Sequence, residues 1–170
     1  SDDEKALKIW DGYLQKGKMI TAVASSDSHQ PPYEASPYPT NLQIGNPAVF
    51  IAAKSLNEKS LFSAIKAGRV FMAENPRYRI QFTANQNKTI GDKVLVRKNQ
   101  KINFKLSLEG FSNDATVLWI SDGKIIKEST PSSAEDHDFF TDKNSYVRLE
   151  IRNKERKMIA MANPIYFQMK

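Results

Sequence analysis

After Pro76 the sequence alternates. Tyr78, Ile80 and Phe82 fall on one side of an extended chain, with Arg77, Arg79 and Gln81 on the other. Ile102, Phe104, Leu106 and Leu108 do the same against Lys101, Asn103, Lys105 and Ser107. A period of two puts one face in a core and the other in water, the pattern of a half-buried strand. Thr116 to Ser121 reads as a more buried strand. It runs into Asp122-Gly123, a pair suited to the positive φ angles of a two-residue hairpin turn, and Lys124 to Ser129 is its return strand. Tyr146 to Arg152 alternates again with Val147, Leu149 and Ile151 inward, and Met158 to Ala162 and Ile165 to Met169 close the series. Short strands with no convincing helix among them predict an antiparallel, immunoglobulin-like β-sandwich over residues 76–170.

The first 75 residues read differently. Leu7, Trp10 and Leu14 make one apolar stripe at helical spacing, Ser1 and Glu4 fit a capping box, and Lys16-Gly17 suits the helix end. Gly12 in the middle costs about 1 kcal/mol against Ala and weakens or bends that helix. Met19 to Ser25 is a near-continuous apolar run, which predicts a strand covered on both faces, as in a parallel sheet flanked by helices. Gln30 to Pro47 holds five prolines and predicts a long loop. Ala48 to Ala53 is a second short strand, Ser55 and Glu58 give a second capping box for a helix stopped at Gly68, and Val70 to Ala73 is a third strand. Strand, loop, strand, helix, strand is an α/β pattern, and the chain divides near Asn75-Pro76 into 1–75 and 76–170.

Charge follows the same division. The net +6 lies wholly in the second part, since residues 1–76 carry 8 Lys or Arg against 8 Asp or Glu and residues 77–170 carry 17 against 11. Arg148, Arg152, Lys154, Arg156 and Lys157 read as the wetted outer face of a sandwich; nucleic-acid binding is the alternative they raise. Trp119, Phe139 and Phe140 read as core or turn-packing residues in preference to a sugar-binding platform. The absence of cysteine excludes disulfides, thiolate metal sites and cysteine nucleophiles. No apolar run approaches the roughly 20 residues of a membrane-spanning helix, and the acidic Ser1-Asp2-Asp3-Glu4 start has no apolar core of a signal peptide. A soluble protein is expected. A chain opening without Met is expected to be processed, truncated or excised, or else a degenerate homologue.

At the end of the Met19 to Ser25 run stand Asp27 and His29. Separated by one residue on an extended chain, they point the same way. A carboxylate and an imidazole together at a strand end are half of a metal site, or else a hydrogen-bonded structural pair. His137 is the other imidazole of the chain; between Glu135, Asp136 and Asp138 it reads as part of a solvated polar turn.

Several pieces, taken in order, carry a resemblance. They are Trp10, Leu14 and Gly17 before the apolar run; Ser26-Asp27-Ser28-His29; Gly45-Asn46-Pro47 ahead of Phe50-Ile51; Ala64 with Ala67-Gly68-Arg69-Val70-Phe71; Ile90-Gly91-Asp92; and Asn163-Pro164-Ile165-Tyr166. In this order and spacing the chain resembles the C-terminal part of a PHP-domain (polymerase and histidinol phosphatase) metal-dependent phosphoesterase, in its CehA/McbA-like branch. The resemblance implies that residues 1–75 are the last segments of a PHP-type α/β barrel. It also implies that Asp27 and His29 are metal ligands in a two- or three-metal cluster of zinc, manganese or iron that activates water against a small phosphoester. The family's N-terminal His-x-His, its further histidines and its bridging glutamate have no counterpart here. Ser25 stands where a glycine is common, and no threonine follows Pro47.

A catalytic zinc site needs about three protein ligands, and a two-metal site needs more. Asp27 and His29 alone cannot hold a catalytic cluster, so no catalytic residue is assignable in this chain and none need bind metal in it alone. The missing partner is an N-terminal barrel segment. The rival expectation is a non-catalytic β-sandwich binding or structural module with a vestigial metal site. Arg69, after a helix-stopping Gly, reads as a salt bridge between barrel and sandwich or as a phosphate ligand. A partial barrel leaves sheet edges open, which predicts a homodimer.

Overall fold

The computed structural model describes residues 2–26, 45–131 and 134–170. Among them are two helices and eleven strands: α1 (Asp2–Gln15), β1 (Ala48–Ile51), α2 (Glu58–Lys66), β2 (Val70–Ala73), β3 (Arg79–Ala84), β4 (Lys88–Thr89), β5 (Lys93–Val96), β6 (Gln100–Glu109), β7 (Thr116–Ser121), β8 (Lys124–Ser129), β9 (Glu135–Thr141), β10 (Ser145–Arg152) and β11 (Met158–Met169). Neither helix is long and apolar enough to cross a membrane.

The strands form two sheets packed as a β-sandwich. The smaller runs β4-β3-β6-β9; the larger runs β1-β2-β11-β10-β7-β8, with β5 also pairing to β11. All ladders are antiparallel except β5 with β11. The alternation after Pro76 is realised as read: Ile80 and Phe82 of β3 and Ile102, Phe104, Leu106 and Leu108 of β6 are all buried. They meet Trp119, Val147, Leu149, Ile151 and Phe167 of the facing sheet. Phe82, Phe104, Trp119 and Phe167 form the centre, with ring centroids 5.1 to 5.8 Å apart in stacked, tilted and edge-on pairs. Asp122 and Gly123 both take positive φ, as a tight hairpin turn requires.

Three readings of the sequence change. The first concerns Met158 to Met169, which is one strand. β11 passes through Asn163-Pro164, where its register against β10 slips between Ala162 and Ile165. Proline cannot donate to a ladder, and a bulge is where a strand tolerates it.

The second concerns β1 and β2. They pair antiparallel with each other, and β2 pairs with β11, Ala73 opposite Ala160 and Phe71 opposite Ala162. Their apolar content reflects sheet faces covered on the inner side by the sandwich core and on the outer side by α1, a burial pattern that sequence alone cannot tell from a parallel sheet. The larger sheet therefore runs on across the change of style at Asn75-Pro76.

The third concerns residues 19–25, which form no ladder among the described residues. Within the segment Met19, Ile20 and Val23 are 41, 42 and 59% exposed.

Both helices end as their glycines predict. Gly17 N–H donates to Leu14 O and Lys18 N–H to Tyr13 O, while Gly68 N–H donates to Ile65 O and Arg69 N–H to Ala64 O, each glycine at φ +74. The start of α2 is capped by Asn57, whose Oδ1 accepts from Ser60 N–H at 2.9 Å; Ser55 instead accepts from Asn57 Nδ2. Helix α1 continues through Gly12 and lays Leu7, Trp10 and Leu14 on Val70, Met72, Tyr146 and Met161, on the outer face of the larger sheet.

Candidate functional site

Asp27 and His29 lie outside the described residues, as does most of the proline-rich stretch. What the structure does show is how the chain is led to Ser26. Trp10 Nε1 donates to Ile20 O at 2.8 Å, and Thr21 Oγ1 donates to Ile65 O at 2.8 Å. Ala22 N–H donates to Asn163 Oδ1 at 2.8 Å, and Asn163 Nδ2 donates back to Ala22 O at 2.9 Å. The same Nδ2 donates to Val70 O at 2.9 Å. An amide side chain thus supplies the paired donor and acceptor that a neighbouring strand would. Asn163 is fully buried, so each bond lost there leaves a buried group unmet, at about 1–3 kcal/mol.

A second contact lies beside it. A Cβ on Gly91 would stand 2.0 Å from Ala67 O, which excludes a side chain there, and one on Gly68, at φ +74, would stand 3.1 Å from the Gly91 Cα, a tight fit in a strained conformation. Gly91 N–H donates to Pro164 O at 2.8 Å, and Arg69 reaches Asp92 across the same junction at 3.5 Å. That is long for a charge-assisted bond, and Arg69 Nε is buried without a hydrogen-bond partner among the described residues.

Arg69 also lines a cavity of about 280 Å³. Its floor is Phe50 on β1 and Phe71 on β2, stacked with centroids 4.5 Å apart and planes 2° from parallel. The Arg79 guanidinium lies 5.6 Å from the Phe50 centroid, and its NH1 donates to Pro76 O and Tyr78 O.

The charged groups with displaced pKa values lie elsewhere. Under α1, Arg148 is 1% exposed and is held by Asp11 through Nε at 2.9 Å and NH2 at 2.5 Å, and by Glu150 at 2.7 Å. Burial pulls its pKa down, but the two carboxylates outweigh that and the net shift is upward. Tyr146 donates to Asp11, and burial together with that carboxylate raises its pKa. Arg152 joins Glu150 to Glu4, whose pKa Arg152 lowers. Burial pushes Tyr166 up to about 12. Arg148, read as an outer-face cation, is therefore buried under a helix, because β10 is covered on both faces.

His137 sits in β9, where Glu135, His137 and Phe139 turn inward and Asp136, Asp138 and Phe140 outward. Its ring stands edge-on to Trp119 at 5.3 Å, and burial lowers its pKa. Among the described residues no three His, Asp or Glu side chains gather as metal ligands. Sequence reasoning missed the strand-surrogate role of Asn163 and the pairing of Arg79 with the Phe50 ring. The Asn-Pro inside an apolar run marks the bulge that frees Asn163; Arg79 carries no such signal.

No protein-family model matches the sequence, and neither does any curated protein. Among solved structures it is similar to a neutron crystallographic structure of a lytic polysaccharide monooxygenase from Jonesia denitrificans, with 10% identity, a TM-score of 0.33, and coverage of 70% of this chain and 76% of that one. A likeness that weak bears on neither fold nor function.

Proposed function

We propose that this chain is the C-terminal part of a PHP-like metal-dependent phosphoesterase. In it Asp27 and His29 are two ligands of a divalent-metal cluster completed by an N-terminal barrel segment, and the chain alone is inactive. The observation that carries the reading is a convergence. Trp10, Gly68, Arg69, Gly91, Asp92, Asn163 and Pro164, scattered along the sequence and all part of the resemblance, meet around or beside residues 20–22. That residues carrying the resemblance also touch one another supports the reading, since the network holds residues 20–22 of the stretch that precedes Asp27. The metal, when bound, lowers the pKa of a water and polarises the phosphoryl oxygen. The part of this chain is to present one carboxylate and one imidazole from an anchored segment.

The test uses the longest natural form of the protein, expressed with manganese or zinc and assayed for bound metal and for hydrolysis of a generic phosphoester. Asp27→Ala/His29→Ala is expected to lose metal and to lower the rate at least about 100-fold, given that even outer-shell partners of a metal are worth about 10–100-fold. A full-length protein that binds no metal removes the catalytic reading. The rival, a non-catalytic sandwich module with a vestigial site, has its support in the sandwich itself, which takes up most of the described chain.

A further inference from the structure

We propose that the cavity between the β1–β2 edge of the larger sheet and strands β3 and β4 binds a small ligand in which an oxyanion, carboxylate or phosphate, is joined to a flat apolar group. Strand β1 ends the larger sheet, and Phe50 and Phe71 turn toward the sandwich interior, packing against its core while staying half-buried. Their stacked rings, with Ile80 and Ile90, give the cavity an apolar wall, and its volume of about 280 Å³ is at the small end for ligand sites, room for one ring and its substituent.

The lining holds two charged side chains, Arg69 and Arg79, both cationic. Neither is consumed. Among the described residues, Arg69 has a buried Nε with no hydrogen-bond partner and a stretched 3.5 Å contact to Asp92, and Arg79 uses only NH1 in hydrogen bonds, both to backbone carbonyls. Two guanidiniums with N–H groups to spare beside an apolar floor suit a planar or tetrahedral oxyanion, which accepts from such forks in pairs, while its apolar part lies on the phenyl rings. Arg79 is already seated over Phe50, so the cationic and aromatic halves of the site are adjacent before any ligand arrives. The site involves no metal and stands or falls apart from the phosphoesterase reading.

The experiment is an amide NMR titration of this chain, without metal, using phenyl phosphate, benzoate, inorganic phosphate and benzyl alcohol. Phenyl phosphate or benzoate is expected to give saturable shifts at residues 50–52, 69–71, 79–80 and 89–90 with a Kd of about 1 mM or tighter. Inorganic phosphate and benzyl alcohol, each carrying half of the required chemistry, should bind at least about tenfold more weakly, and Arg69→Gln and Arg79→Gln should each weaken the ring-bearing anion about tenfold. The order of phenyl phosphate and benzoate names the oxyanion. If Arg69→Gln does not fold, Arg69→Lys keeps the charge and removes the fork, and a similar loss is expected. Three results overturn the proposal: no saturable shift with either ring-bearing anion, equal affinity for inorganic phosphate, or affinity unchanged in the folded arginine variants.

Discussion

His137 shows how one residue ties pH to stability. Its imidazole is packed against Trp119, and burial, aided by the Lys127 ammonium, holds its pKa below the ordinary 6.5. The unfolded chain therefore takes up this proton at a higher pH than the folded chain does. The stability it contributes is complete above pH 6.5 and is lost as pH falls from there through the folded value. Thermal midpoints measured from pH 7 down to pH 5 should fall in the wild type, and the slope should be shallower in His137→Gln. Glu4 and Asp138, whose pKa values Arg152 and Lys101 lower, act in the same direction but below the ordinary carboxylate range. Equal slopes in the two proteins would show that His137 is protonated equally easily in both states. In the sequence this residue looked like part of a solvated turn because three acids surround it. The strand alternates them, so Asp136 and Asp138 face water while His137 faces Trp119.

Among the elements, α1 is the one whose sequence and structure agree most simply and whose partner was least visible. The spacing of Leu7, Trp10 and Leu14 announced the buried stripe. Nothing near them announced that it would rest on β10 and β11, because the contacts join the two ends of the chain: Asp11 to Arg148 and Tyr146, and Glu4 to Arg152. Charged residues on a strand read as exposed unless the covering element is known, and so Arg148 was assigned to the wrong face. Such a buried network specifies how the helix sits more than it stabilises, since desolvation offsets much of the attraction; removing Arg148 alone would leave Asp11 with only the Tyr146 hydroxyl among the described residues while Glu150 keeps Arg152, at a cost of about 3–5 kcal/mol. Gly12 is the opposite case. A Cβ there meets nothing within 4 Å, and its φ is not positive, so Gly12→Ala should stabilise the protein by about 0.5–1 kcal/mol. In a thermal melt that is a rise of about 1–4 °C. An unchanged or lower midpoint would mean that the helix does not run through this position in solution. The strands of the sandwich were legible for the reason α1's partner was not, since their period of two and the Asp-Gly turn are local signals. Asp27 and His29 were legible as a candidate pair only through their residue types and spacing, and both lie outside the described residues.

For the whole molecule, the larger sheet binds the first part of the chain to the second. Strand β2 lies against β11, and the sheet's outer face is closed by α1. A chain divided at residues 75 and 76 would unfold in two steps; a shared sheet predicts one. The two tryptophans provide the measurement, since Trp10 reports α1 and Trp119 the sandwich core. The fluorescence melts of Trp10→Phe and Trp119→Phe, each read through the remaining tryptophan and set against that variant's own far-UV transition, should show one coincident step in both. Separate midpoints for the two probes would establish residues 1–75 and 76–170 as independent units.

Strand β11 has another consequence. It follows β2, β5 and β10 in sequence and pairs with all three. On a ribosome every other strand of the larger sheet is therefore made before the one that joins them, and α1, the first element of this chain, has no finished surface to rest on until the last strand emerges. For the time it takes to translate the intervening chain, these apolar faces lack the strand that completes their surface and are open to chaperones.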